Sequence, residues 1–297
     1  MNLDKLTTEQ RNENSNHLDE MSIHEFATMM NRDDQTVALN VKLALPAIER
    51  AIAAIADCFR AGGRLFYVGA GSSGRMGVLD AAECVPTFGT NPDMVQGLIA
   101  GGLTAMTLAV EGAEDKQQLA VHELRERELG PHDCVVGITA SGRTPYVVGG
   151  LNYARKVHAT TIAFACNEDS LVGKHADITI EVPVGPEVLT GSTRLKSGTA
   201  QKMVLNMLST GAMVQIGKVY KNLMVDVRPT NEKLVARAKR IIQEATGCSS
   251  ALAAATFAEA DHDAKLAIVM ILTGLPKAAA KQRLRKENGF IGKAIGA

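Results

Sequence analysis

The 297-residue chain carries no net charge at pH 7, with 32 lysines and arginines against 32 acids. It lacks the global field that recruits nucleic acid or an acidic membrane surface, so any anion it holds must be bound locally. No apolar stretch approaches the ~20 residues needed to cross a bilayer, Ala267–Leu272 being among the longest. The cysteines, Cys58, Cys84, Cys134, Cys166 and Cys248, show no C-x-x-C spacing, and there is no charged-then-apolar leader. Reduced thiols in a cytoplasmic protein are therefore expected, with neither nucleic acid nor membrane as a partner. The histidines are scattered, without H-E-x-x-H or a His/Cys cluster at zinc spacing, so no metal centre is expected.

What is present is an alternation of patterns. Residues 1–33 are mostly polar and read as an N-terminal arm ordered by a partner surface. Apolar residues at helical spacing from Val37 to Phe59 predict one long helix over Asp34–Phe59, bent at Pro46. Short β-branched runs follow at Leu65–Val68, Met94–Ile99, Cys134–Thr139, Thr160–Ala165 and Asp177–Val182, separated by helical segments. Strands alternating with helices imply right-handed crossovers and a parallel sheet covered on both faces. The expected fold is α/β: a three-layer, doubly wound, five-stranded domain over 34–229, then a small all-helical domain over 230–297.

The strand at Leu65 breaks into Gly69, Gly71 and Gly74, a G-x-G-x-x-G that places backbone N–H groups and a helix N-terminus beside an anion. A dinucleotide site also needs an acid about 20 residues on, at the tip of the second strand. That tip reads Gly97-Leu98-Ile99-Ala100-Gly101-Gly102, without a carboxylate. A second loop of similar design, Ser141-Gly142-Arg143-Thr144, follows the third strand. In a sheet of order 2-1-3-4-5 both loops open on one crevice. Ser72, Ser73, Ser141 and Thr144 then suit a small monophosphorylated ligand. A third patch, Gly185–Lys202, adds Ser192, Arg194 and Lys196 ahead of a helix for which Ser197 is a candidate N-cap; its cations suit a second negative group. Glu83 and Glu114 are carboxylates whose spacing alone does not separate catalysis from surface solvation.

The two loops resemble the sugar isomerase (SIS) domain. The stretches "VGAGSSGRMGVLDAAECVPTFG", "EGAED" and "GPEVLTGSTRLKSGTAQKMVLNMLSTG" are similar to the N-acetylmuramic acid 6-phosphate etherase family, and the last is a signature shared with glucokinase regulatory proteins. The resemblance implies a lyase that removes the lactyl ether of a phosphorylated amino sugar by proton abstraction at C2, elimination and water addition, during cell-wall sugar recycling. It requires two proton-transfer groups and no cofactor. It assigns Glu83 as proton donor to the departing lactate and Glu114 as the base. Gly71, Ser72, Ser73, Ser141, Gly142, Arg143, Thr144 and Ser192 become substrate contacts, and Arg194 or Lys196 the candidate for the lactyl carboxylate. Proton donation by Glu83 calls for burial or a neighbouring acid, with Asp80 one turn away. The resemblance further implies a homodimer. A non-catalytic sugar-phosphate sensor and a phosphosugar isomerase are the alternatives.

Overall fold

The computed structural model describes residues 6–229 and 231–296. Its centre is set by the β-branched runs, which form β1 (Leu65–Gly69), β2 (Val95–Ile99), β3 (Cys134–Thr139), β4 (Thr160–Ala165) and β5 (Ile178–Glu181). They make one parallel sheet of order β2-β1-β3-β4-β5. Every position of β1 and β3 is buried, as strands covered on both faces require. Gly69 is level with Ile99 on one side and Ile138 on the other, so the ends of β1 and β3 lie side by side. The chain order reverses there, and a crevice opens outside the strand ends.

The long helix expected over Asp34–Phe59 is two helices, α1 (Ile23–Leu43) and α2 (Leu45–Arg60), separated at Ala44. Pro46 lies in the first turn of α2, where its missing N–H leaves no bond unmade. Further upstream, α1 begins at a reciprocal capping box between Ser22 and Glu25. The arm before it folds on its own chain. The Thr7 N–H and hydroxyl donate to Asn167 Oδ1 at 2.8 and 2.9 Å, and Leu6 and Thr8 are buried. The other layer helices are α3 (Gly71–Phe88), α4 (Gln117–Glu126), α5 (Pro145–Lys156) and α6 (Lys196–Gln215).

The chain divides into two compact units, Met1–Ala82 with Asp93–Ser209, and Glu83–Pro92 with Thr210–Ala297. The division cuts α3 and α6 rather than a linker. The first unit holds the sheet. The second is built from α7 (Glu232–Thr246), α8 (Ser250–Glu259), α9 (Ala264–Thr273), α10 (Lys277–Lys286) and α11 (Ile291–Ile295). The apolar α9 is its centre: Ala267, Ile268 and Val269 pack in one core with Ile242, Phe257 and Leu284. Lys265 is the polar exception, and its buried ammonium donates to Gly217 O at 2.8 Å and Asp226 Oδ2 at 2.6 Å.

Candidate active site

The end of β1 and the start of α3 pack backbone against backbone. A Cβ on Gly69 would lie 2.7 Å from Gly74 N, and one on Gly74 2.7 Å from Gly69 O. Only glycine permits this approach. It brings the start of α3 to the mouth of the crevice, where a cleft of about 180 Å³ is lined by Gly71 and Arg75 of α3 together with Glu111, Gly112 and Glu114. Its wall is made of small or aliphatic residues, including Ala70, Ala100, Ala105 and Val110. Glu114 has an exposed side chain but an anchored backbone: its carbonyl accepts from Tyr146 N at 2.9 Å. That bond ties the glutamate to the first turn of α5, just past the second loop. The pairing of α4 with α5 is fastened by the buried Tyr146 hydroxyl, which donates to the Glu123 carboxylate. Burial raises Glu123 above the ordinary carboxylate range, partly offset by that bond.

The second loop is internally braced. Thr139 Oγ1 lies 2.7 Å from Thr144 Oγ1 and 3.3 Å from Ser141 Oγ, and Arg143 N donates to Ser141 Oγ at 3.3 Å. Gly142 has φ +76°, and a Cβ there would meet Ser170 Cβ at 2.7 Å. Arg143 Nε is buried and has no hydrogen-bond partner. Ser73, in contrast, is itself buried, and its hydroxyl accepts from Gln201 Nε2 at 2.9 Å. Of the first loop's predicted contacts, Gly71 lines the cleft.

At the third patch the chain satisfies itself. Glu187 is fully buried, and its carboxylate accepts from Lys196 N at 2.8 Å, Ser197 N at 3.0 Å and Ser197 Oγ at 2.9 Å. The cap of α6 is therefore Glu187, and Ser197, expected as N-cap, is a residue within the helix that donates to it. The Lys196 ammonium is buried 3.0 Å from Asp33 Oδ2, a carboxylate of α1. That oxygen is close in charge but out of line for a hydrogen bond. Ser192 is half-buried and Arg194 exposed on the turn before α6.

Glu83 is exposed on α3, within the second unit, and does not line the cleft that holds Glu114. Its neighbour one turn earlier, Asp80, is the buried acid. Asp80 accepts from Tyr67 Oη at 2.8 Å, Asn206 Nδ2 at 2.6 Å and Ser209 Oγ at 3.1 Å, and burial raises its carboxyl despite these bonds. The burial anticipated for Glu83 is found at Asp80 instead. Sequence reasoning passed over Arg75, Asp33 and Glu187. Arg75 was legible, since it stands four residues after Gly71 and hence one turn along the same helix face. Among the described residues no group of three or more His, Cys, Asp or Glu is gathered as a metal-ligand set, and no helix is long and apolar enough to cross a membrane.

Comparison with known proteins places this architecture. The family profile of the glucokinase regulatory protein N-terminal SIS domain matches residues 47–155, and that of the SIS domain residues 119–211. A phosphoheptose isomerase from Francisella tularensis superposes with a TM-score of 0.53 at 18% identity, over 65% of this chain and 100% of its own, a likeness of fold. Over the whole length the likeness is much closer. The N-acetylmuramic acid 6-phosphate etherase of Oenococcus oeni is 66% identical over 99% of both chains. N-acetylmuramic acid 6-phosphate etherase 2 of Lactiplantibacillus plantarum is 63% identical over 99% of this chain and 100% of its own. With the SIS sheet, the glycine-bounded cleft and full-length identity of this order, the chain belongs to the N-acetylmuramic acid 6-phosphate etherase family.

Proposed function

We propose that this chain cleaves the lactyl ether of N-acetylmuramic acid 6-phosphate, giving N-acetylglucosamine 6-phosphate and D-lactate, as a cytoplasmic homodimer in cell-wall sugar recycling. The observation that carries the reading is the position of Glu114. A carboxylate at a small cleft, beside the start of α3 and hydrogen-bonded through its backbone to the start of α5, is placed to serve a substrate held by both loops. In the ring-opened aldehyde the carbonyl acidifies the C2 proton, so Glu114 removes it and the electron pair forms the C2–C3 double bond. The C3–O bond breaks, and Glu83 protonates the departing lactate oxygen. Water then adds at C3, and a proton returns to C2. A positioned acid or base contributes about 10²–10⁴-fold to such steps.

Gly71, Ser72, Ser141, Gly142, Arg143 and Thr144 hold the phosphate in this reading. The buried, partnerless Nε of Arg143 supports it, because a bound phosphate would supply the missing acceptor. Ser192 and Arg194 close on the sugar, while Ser73 and Lys196 buttress the loops. The homodimer is supported by α1, which exposes Ile23, Leu39 and Leu43 at 89, 65 and 77%. Light scattering at micromolar concentration tests it, and a monomer mass would refute it. The activity is tested by incubating purified chain with N-acetylmuramic acid 6-phosphate and assaying D-lactate. Release is expected. Binding without release would make the chain a sensor, and aldose–ketose interconversion without lactate an isomerase.

A further inference from the structure

The cleft beside Glu114 contains a cation that the reaction scheme leaves without a task. Arg75 is the basic residue in its lining, and it shares that lining with two carboxylates, Glu111 and Glu114. Opposite charges in one small cleft ordinarily pair. Here neither glutamate comes within ion-pair distance of Arg75 among the described residues. The guanidinium is held from behind instead: its Nε donates to Met106 O at 3.2 Å, on the short 3₁₀ turn Gly102–Met106. That bond uses one of the five N–H donors and fixes the plane of the group. It leaves the two terminal nitrogens as a preset fork, the geometry that takes a carboxylate through two parallel hydrogen bonds.

The rest of the lining suits a small acid that carries a methyl group. Within about 180 Å³, Ala70, Ala100, Ala105, Ala109 and Val110 offer an apolar wall beside the polar groups of Arg75, Glu111 and Glu114. The two cations expected to bind the substrate's carboxylate are placed otherwise. Lys196 is buried against Asp33, and Arg194 lies exposed before α6, outside the lining of this cleft.

We propose that Arg75 is the receptor for the lactyl carboxylate, with the alanine wall receiving the lactyl methyl, so that this cleft recognises the leaving group while Ser72 and the second loop, next to it, hold the phosphate. The inference rests on the etherase reading and adds to it the residue that distinguishes an ether-bearing substrate from the bare phosphosugar. The geometry has a mechanistic consequence. The lactyl oxygen is carried on C3 and the proton to be removed on C2, the adjacent carbon, so a carboxylate seated on Arg75 brings the reacting carbons to Glu114 in the same small cleft. Binding energy from the lactyl group is thereby used for orientation at the proton-transfer step.

The test is Arg75→Met in the full chain, assayed for kcat and KM on N-acetylmuramic acid 6-phosphate, and by calorimetry for binding N-acetylglucosamine 6-phosphate, which carries the phosphate but no lactyl group. The expected result is a fall in kcat/KM of about 10²-fold, the size of losing a charge-assisted pair. Binding of N-acetylglucosamine 6-phosphate stays within about twofold, the range of unperturbed sites. Arg75→Lys keeps the charge and loses the fork, so an intermediate loss confined to the lactyl-bearing ligand is expected. Equal weakening of both ligands in Arg75→Lys would make Arg75 a phosphate ligand and overturn the inference. So would unchanged kcat/KM in Arg75→Met. A wild-type chain that releases no D-lactate would instead refute the etherase reading itself, whatever the variants do.

Discussion

Two helix starts in the first unit face the same problem and solve it in opposite ways. At the head of α6, Glu187 accepts from two backbone N–H groups and a hydroxyl, and the lysine of that turn lies against Asp33. At the head of α3, Gly71 and Arg75 line an open cleft, and among the described residues neither carboxylate in that lining forms an ion pair with the arginine. One region has used its anion-binding capacity on its own chain; the other keeps it for a ligand. Residue type alone does not distinguish them, since both are rich in glycine, serine and cations. What distinguishes them is whether an internal carboxylate has been supplied, because a buried polar group that is already satisfied gains little from a ligand and resists exchange.

The contrast is broken most sharply by Glu114→Gln. The side chain is exposed, so stability should be unchanged within ~0.5 kcal/mol, while turnover falls by about 10²–10⁴-fold. Lactate release and a thermal melt on the same sample check both. Glu187→Ala should do the reverse. It strands three buried donors, and at ~1–3 kcal/mol each without full additivity the chain should lose roughly 4 kcal/mol in urea unfolding. Loss of turnover without loss of stability in Glu187→Ala would show that this end of α6 serves the ligand after all. Next in size comes the ion pair. Lys196→Met leaves the half-buried Asp33 without its buried counter-charge and should cost about 3 kcal/mol, whereas Lys196→Met with Asp33→Leu should recover most of that. If the double variant regains stability but raises KM more than tenfold, Lys196 is a ligand group and the contrast between the two helix starts fails.

The sheet was legible because buried strands carry a dense local signal. The runs at Cys134–Thr139 and Thr160–Ala165 are strands with those same bounds, and the alternation of strands and helices implies the parallel sheet, whose order is β2-β1-β3-β4-β5. The start of α1 was less legible, since a capping box at Ser22 and Glu25 is a two-residue signal in a polar stretch. The candidate site was legible where a residue lies within one turn of a strand end, as Gly71 does just past β1, whereas Glu114, in the segment between β2 and α4, was singled out by the family resemblance alone. It was illegible where two distant segments meet: nothing local links Asp33 to Lys196 across the first unit, or Ser73 to Gln201. These pairings consume groups that composition alone presents as available.

The smallest effect separates the same alternatives along α3 itself, where Asp80 is buried and bonded and Glu83, one turn on, is exposed. Burial raises the Asp80 carboxyl above its ordinary value of 3.8, so the folded chain binds that proton more tightly than the unfolded chain. Its contribution to stability is therefore complete below the unfolded pKa and is lost as pH rises through the raised folded value. Asp80→Asn does not titrate. Whatever constant penalty it carries from altered hydrogen bonding, its stability relative to the parent should improve as pH rises from 4 to 7, by about 1.4 kcal/mol for each unit by which the carboxyl is raised. Urea midpoints at several pH values measure the difference, and a flat or falling difference would mean that the three donors outweigh burial. Turnover discriminates further. If Asp80 serves only to register α3 against β1 and α6, through Tyr67, Asn206 and Ser209, then Asp80→Asn leaves the pH profile of kcat where it was. If the profile moves, the buried acid is coupled to the exposed one, and the division between self-satisfied and ligand-facing groups does not hold along this helix.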